Sequence, residues 1–512
     1  MAPAHQPAFG PLSLAERQEM AKKVRKSLMI DKFRVYPWQG ESPGSCHPFF
    51  SRPGSQQLRL FPDQPEEAVE IAVIGAGLAG LTAAYHLRER RLAVLEAGDR
   101  PGGVCLAGSA EGITFPAGSA YCYYPWNDTW RQWYAQLGLE MAAALVAPPA
   151  SALWLDGTWL PDCFTAAAIS AWPVSLADKE KLRLLIEDLA RWEETWDVLG
   201  TRQLPAPDLD QVTLAHYLEQ IRGLSRQVTV LLDPYCRSCL GAGPDVISAW
   251  AGLYFLMSEF SPTSRLVAFP EGNARLTAAL ERTLPQPVRC QQTVVAVRPR
   301  REGGDLLIWD GQARTFRCLA AEVIIMAGGK HVAARLLGDS WGWSQQDWQR
   351  FRYSSYVVAA CLGPLPLTAP GYENWVPGEP AFADFLLTPR DAEPGAEKAL
   401  ILYAPQAYPA GRTTLLQQPE ETQANILLAA LARHFPGTLA AVRAVHLYRF
   451  GHAQILATPG FNTWVRREFC PARRPIILAN SDQEGFPCVE AAIIQGQQAA
   501  QTALAYLKGE KR

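Results

Sequence analysis

Three features of the 512-residue chain predict an α/β fold. From Val69 it reads as an apolar strand (VEIAVIG), a glycine turn opening an Ala/Leu-rich helix (LAGLTAAYHLRER), and a second strand (RLAVLEA), which is one βαβ unit. Strand patterns return from about residue 265, as VRCQQTVVAVRPR, GDLLIWDG and ARTFRCLAAEVIIMAG. The chain closes on a strand, a loop and a long helix, RRPIILANSDQEGFPCVEAAIIQGQQAAQTALAYL. Together these predict a doubly wound sheet, revisited by the chain between excursions into a second, mixed α+β layer.

The elements follow in order. Residues 1–67 form an N-terminal extension: Leu12 to Met29 has helical spacing, and YPWQGESPGSCHPFFSRPGSQQ reads as extended chain whose aromatics lie against the body. Between about 126 and 261 the periodicity is mainly helical, as in ADKEKLRLLIEDLARWEETWDVL and DVISAWAGLYFLMSEF. Residues 336–439 mix the strand candidates RYSSYVVAACLG and EKALILYAP with the helix candidate ETQANILLAALARHF. The expected division places 68–125, 262–335 and 440–508 in the domain of the βαβ unit, and 126–261 and 336–439 in the second. Length alone, at roughly 150 residues per domain, allows two to four.

Composition narrows the function. Hydrophobic residues are 48% and charged ones 19%, enough apolar surface for a large core and against bulk disorder. Lys and Arg total 48 against 50 acidic residues, so there is no positive excess to track a nucleic acid. The 11 cysteines are scattered, and the tight pair Cys236 and Cys239 lacks a second pair or His pair, so thiols rather than a metal site are expected. No secretory signal is read at the start, and no run reaches the roughly 18 apolar residues of a membrane span. A cytoplasmic chain without an integral membrane segment is the expectation.

The turn IAVIGAGLAGLTAAYHL sets Gly75, Gly77 and Gly80 in GxGxxG register, with Ala76, Leu78 and Ala79 between them, after a strand and before a helix. The first glycine permits the tight turn, the second lets backbone approach a pyrophosphate, and the third lets the helix pack close to the sheet. Helix N-terminal amides then face the phosphates. The second strand ends in Glu96, where a carboxylate can accept the ribose hydroxyls of an adenosine. A Rossmann-like dinucleotide site follows.

Glu96-Ala97-Gly98-Asp99-Arg100-Pro101-Gly102-Gly103 resembles the E-A-x-x-R-x-G-G element of the flavin amine oxidase superfamily, which includes monoamine and polyamine oxidases, protoporphyrinogen oxidases and phytoene desaturases. FPAGSAY, with Gly118, Ser119, Ala120 and Tyr121, is similar to the segment that passes the flavin ring, and FPEGNARLTAAL to the one that re-enters the cofactor domain. VRCQQTVVAV resembles the strand whose valine, here Val294, contacts adenine, and AAEVIIMAGG, with Ala327 and Gly328, resembles a V-I-x-A-x-P strand. The closing element resembles the one whose loop and helix N-terminus meet the flavin. It implies Asp482 near the ribityl-phosphate region, Cys488 close to the flavin, and the amides of Val489 and Glu490 at the pyrimidine carbonyls. The resemblance spans about 68 to 508 and implies FAD, in a fold that interleaves an FAD-binding domain with a substrate domain.

Departures are equally informative. Val104 stands where many members carry the arginine of GGR, and LANSD where they read FAGE. No cysteine follows a P-Y-S-G-G element, which points to noncovalent FAD. Tyr356, with Ser355 beside it, takes the place of a lysine that many amine oxidases of the superfamily set near flavin N5. His452 in YRFGHAQILATPG is a candidate to take or hold a proton, with a hydrogen-bonded structural histidine as the other reading. Lys330 and His331 read as a solvated turn at the domain boundary, Cys488 as a small packed thiol, and His86 as structural. The aromatics of YCYYPWNDTWRQWY and SAWAGLYF serve a substrate cavity or the core.

The reading is thus an FAD-dependent oxidoreductase taking a hydride from a small organic substrate, an amine C–N unit by preference, with reoxidation by O2 or another acceptor. A desaturase or isomerase acting on C–C bonds and a low-turnover flavoprotein subunit are the alternatives. No metal is expected, and the sequence is compatible with a homodimer.

Overall fold

The computed structural model describes residues 33–50, 58–125, 127–193, 195–196 and 199–509, so the helix expected at Leu12 to Met29 lies outside the described residues. The βαβ unit forms where its pattern requires. Glu67–Ile74 is a central strand with Ile71, Ala72 and Val73 fully buried, which explains its unbroken apolar run. It pairs in parallel with Leu92–Leu95 on one side and Thr315–Met326 on the other. Ile476–Leu478 continues the parallel part, and antiparallel Gln292–Pro299 and Gly304–Asp310 extend a seven-stranded sheet. The helices Leu78–His86 and Val489–Leu507 share one apolar core, including Leu81, Ala84, Ile493 and Ala500. They touch closely enough that a Cβ on Gly496 would lie 2.4 Å from the Ala79 carbonyl oxygen.

The second layer is a nine-stranded sheet. Its centre is Tyr353–Pro364, buried throughout its interior and flanked by antiparallel Glu397–Pro405 and Ala444–Ile455. Beyond Glu397–Pro405 lie Asp384–Thr388, Glu373–Trp375 and the hairpin Ser151–Leu155 with Thr158–Pro161.

Three findings adjust the expected layout. The Ser151–Pro161 hairpin sits inside a stretch expected to be mainly helical. Its turn residues Asp156 and Gly157 have φ of +44° and +96°, the left-handed pair that a two-residue hairpin turn needs. The strand Ala444–Ile455 belongs to the nine-stranded sheet, whereas the chain from Ala472 onward joins the seven-stranded one, so a boundary at 440 precedes a strand of the second layer. Within the extension, Arg34–Val35 and Gln39–Gly40 both run parallel to Ala444–Ile455. Among the described residues no helix is long and apolar enough to cross a membrane.

Candidate active site

One cavity of about 2310 Å³ runs from the glycine turn to the face of the nine-stranded sheet. Ligand sites usually occupy about 300–1,000 Å³. This one therefore has room for a dinucleotide and a second, smaller molecule.

Its outer wall is backbone. Gly75 has φ +100°, and a Cβ on Gly80 would lie 2.0 Å from the Gly75 carbonyl oxygen, so the turn closes only with glycine at both places. Gly102 and Gly103 also have positive φ and approach Gly77. A Cβ on Gly118 would lie 2.0 Å from the Val104 carbonyl oxygen. Glu96 accepts from the Ala76 and Gly98 amides at 2.9 and 2.8 Å, and each oxygen keeps a lone pair for a ribose hydroxyl. The helix Leu78–His86 starts at this turn with its first amides unpaired by the helix itself. A bare backbone cradle, a carboxylate and a helix N-terminus fit a flavin dinucleotide.

Of the residues expected to hold it, all except Ala76 and Gly80 line this cavity: Gly75, Gly77, Leu78, Ala79, Glu96, Ala97, Arg100, Gly102, Gly103, Val104, Gly118, Ser119, Ala120, Tyr121, Val294, Ala327, Gly328, Asp482, Cys488 and Val489. Ala76 gives its amide to Glu96, and Gly80 packs beneath the turn against Ala327. Asn273 of the FPEGN segment reaches Ser119 Oγ at 2.8 Å, fixing the 118–121 loop. Cys488 caps the helix Val489–Leu507, and burial pushes its thiol well up, as in a packed, unreactive cysteine.

The inner end is a cage of tyrosines and carboxylic acids. Tyr356 and Ser238 hydroxyls are 2.7 Å apart, and Ser238 donates to Asp384 Oδ1 at 2.7 Å. Tyr123 donates to Glu259 at 2.6 Å, and Tyr403 to the Gly118 carbonyl at 3.0 Å. Glu373 is 1% exposed and its Oε2 has no hydrogen-bond partner among the described residues. Burial pushes all three carboxyls up: Asp384 to about 7, Glu373 well above its ordinary value with the Glu259 charge adding to the effect, and Glu259 also upward. Arg237, which tempers Asp384, is itself paired with Asp233 at 2.7 Å. Glu373 and Asp384 line the cavity, the Glu259 and Asp384 charges add to the cost of ionising Glu373, and Arg237 offsets part of that cost at Asp384, so a bound cation would relieve Glu373 most.

Glu259, Glu373 and Asp384 were not among the expected residues. A signal existed for two of them, because AFADFLLT and YFLMSEF set Asp384 and Glu259 as lone acids in otherwise apolar runs, which a buried element tolerates only with a partner.

The opposite wall corrects the reading of Lys330. It is not a solvated turn residue: it begins the helix Lys330–Leu337, is fully buried between the rings of Phe351 and Phe469, and its Nζ lies 2.5 Å from Asp482 Oδ1. Asp482 Oδ2 accepts from the Lys330 amide at 2.9 Å and the Tyr353 hydroxyl at 2.5 Å. His452 stacks on His331 with ring centroids 3.6 Å apart. Burial first, then Arg412 and other cations, lower the His452 pKa to about 3. The ring stays neutral at pH 7, which argues against a proton-holding role there. His86 is exposed, and Cys236 and Cys239 lie on the helix Arg226–Leu240 without forming a metal cluster among the described residues.

No curated protein matches the chain. Among solved structures, putrescine oxidase bound to putrescine is 18% identical, with a TM-score of 0.64 over 86% of this chain and 99% of that one. Cyclohexylamine oxidase from Brevibacterium oxydans IH-35A is 18% identical, with a TM-score of 0.62 over the same shares, 86% and 99%. A CLA-producing fatty acid isomerase from P. acnes is 15% identical, with a TM-score of 0.63 over 85% and 98%. These likenesses show a shared fold. The family model described as flavin containing amine oxidoreductase matches residues 78–504, which begins just after Gly77 of the glycine turn and includes Glu96, Gly102, Gly103 and the inner cage. The chain therefore belongs to the flavin containing amine oxidoreductase family and is a flavin-dependent oxidoreductase.

Proposed function

We propose that this oxidoreductase binds FAD noncovalently in the glycine cradle and oxidises a small amine at the C–N bond. The observation that carries the amine reading is the inner cage: Glu373 with an unpartnered buried oxygen, beside Asp384 and Glu259 and walled by tyrosines. An ammonium supplies the N–H donors and the charge that this cage lacks, and tyrosine faces add cation–π attraction. A saturated hydrocarbon chain would leave the acids unpaired.

Bound flavin supplies the hydride acceptor for the C–H bond next to nitrogen. The protein supplies position and proton traffic. Tyr356 donates to Ser238 and Ser238 to Asp384, so a chain of two hydrogen bonds leads from the cavity wall to a carboxyl balanced near neutrality, suited to receive the ammonium proton and free the nitrogen lone pair. In this reading Tyr356 relays, and His452 stays neutral at the far wall. The cofactor unit comprises 68–125, 262–335 and the chain from Ala472, and the substrate unit 126–261, 336–439 and the strand Ala444–Ile455. O2 is the proposed electron acceptor.

The test is product identification. Incubation of the yellow protein with primary aliphatic amines in air should yield the corresponding aldehyde and ammonia. Return of every amine unchanged, while an unsaturated acyl chain comes back with its double bond moved, would show the C–C reading instead.

A further inference from the structure

The cavity has a second lobe, which the amine reading does not use. It lies at the mouth, where the N-terminal segment crosses the end of Ala444–Ile455, and it is lined by His47, His331, Arg335, Arg412, Arg449 and His452. Arg412 Nη2 is 3.3 Å from His47 Nε2. Arg449 donates to the Glu41 carbonyl at 3.3 Å and lies over the Trp38 ring. Glu41 is an acid at this lobe, and its carboxylate is already engaged, accepting from the Gly451 amide at 2.7 Å. Burial pushes the Glu41 carboxyl up, so it is a weakened counter-ion to the arginines. Two buried polar atoms are left over: Arg412 Nε and His331 Nδ1 have no hydrogen-bond partner among the described residues. The Arg335 and Arg412 charges act on each other and on His47 and His452, so the groups form one field.

Concentrated positive charge is unexpected in a chain of net charge −2. Guanidinium groups gathered in a partly desolvated recess are stable when an anion with several acceptor oxygens joins them, and their planar forks match phosphate. We propose that this lobe is a phosphate-binding site, built by Arg412 and Arg449 with His47 and Arg335 around it, that holds a phosphate or diphosphate group. The lobe adjoins the cofactor cradle, since His331 lies three residues after Gly328, which lies against Gly75. The glycine turn already faces the diphosphate of the dinucleotide, so the group held in the lobe belongs to a separate phosphorylated ligand sharing the cavity. The site does not depend on the amine reading, and its test does not use turnover.

The experiment is calorimetric titration of the FAD-loaded protein with inorganic pyrophosphate at low ionic strength, alongside fluorimetric measurement of FAD affinity. Wild type is compared with Arg412→Gln, Arg449→Gln and the remote control Arg183→Gln, each checked for unchanged melting. Saturable pyrophosphate binding by the loaded protein, weakened roughly tenfold or more by either lobe variant and unaffected by the control, with FAD affinity unchanged, supports the site. No saturable pyrophosphate binding, or binding that both lobe variants leave unchanged, overturns the proposal, and loss of FAD affinity in both lobe variants without pyrophosphate binding overturns it by assigning these residues to the cofactor.

Discussion

In the proposed amine site, Glu373 offers a buried oxygen without a partner among the described residues, and Asp384 a carboxyl raised by burial. Replacing Glu373 by Gln removes a buried acid already pushed toward its neutral form, so folding stability should hold at pH 7 while KM for an amine rises roughly tenfold or more. Steady-state kinetics beside a melting curve checks both halves. Asp384 sets a pH dependence. Its carboxyl, raised from 3.8 to about 7, favours the protonated form in the empty protein, so its contribution to stability is full below its unfolded pKa and is lost as pH rises toward 7. A cation reverses the preference, releasing a proton on binding. Affinity for a permanently charged probe such as tetramethylammonium should therefore rise about tenfold between pH 6 and 8, and Asp384→Asn should flatten that rise. Lys330 is the opposite case, a buried charge with its partner in place. Lys330→Met strands Asp482 and should cost about 3–5 kcal/mol, whereas adding Asp482→Leu should recover most of it in denaturant titration. Little of this was legible beforehand: sequence spacing cannot show that the first residue of the helix Lys330–Leu337 turns inward between two rings.

At the scale of elements the glycine turn was the most readable part, because its constraint is local. Three glycines at fixed offsets, after a strand and before a helix, specify a phosphate-binding turn, and the backbone shows why: Gly75 has φ +100°, and Gly80 stands where a methyl group would meet the Gly75 carbonyl oxygen at 2.0 Å. Gly80→Ala should weaken FAD retention and lower the melting temperature together, read by flavin absorbance after gel filtration. The hairpin Ser151–Pro161 was missed for the converse reason. Its strands are short and lie among helical patterns, so the window average hid an Asp-Gly turn that is itself a strong hairpin signal. The strand Ala444–Ile455 shows the limit of sequence order. It follows a helix of the substrate layer and precedes cofactor elements, and only pairing with Tyr353–Pro364 decides where it belongs.

Across the whole molecule, two sheets enclose one cavity whose ends have opposite character: carboxylic acids and tyrosines inside, arginines and histidines at the mouth. The near-balanced composition, 48 basic against 50 acidic residues, conceals this separation because composition averages over space. Family and fold were readable from motifs tied to backbone geometry, whereas the cage was not, since Glu259, Glu373 and Asp384 lie on three separate elements and meet only through tertiary packing. The central claim, that the cage delivers an amine to bound flavin, is tested most directly by anaerobic titration of the FAD-loaded protein. Aliphatic amines should bleach the oxidised flavin spectrum in wild type and do so far more weakly in Glu373→Gln. A flavin that stays oxidised with every amine offered, or is bleached equally well in both proteins, would contradict the account.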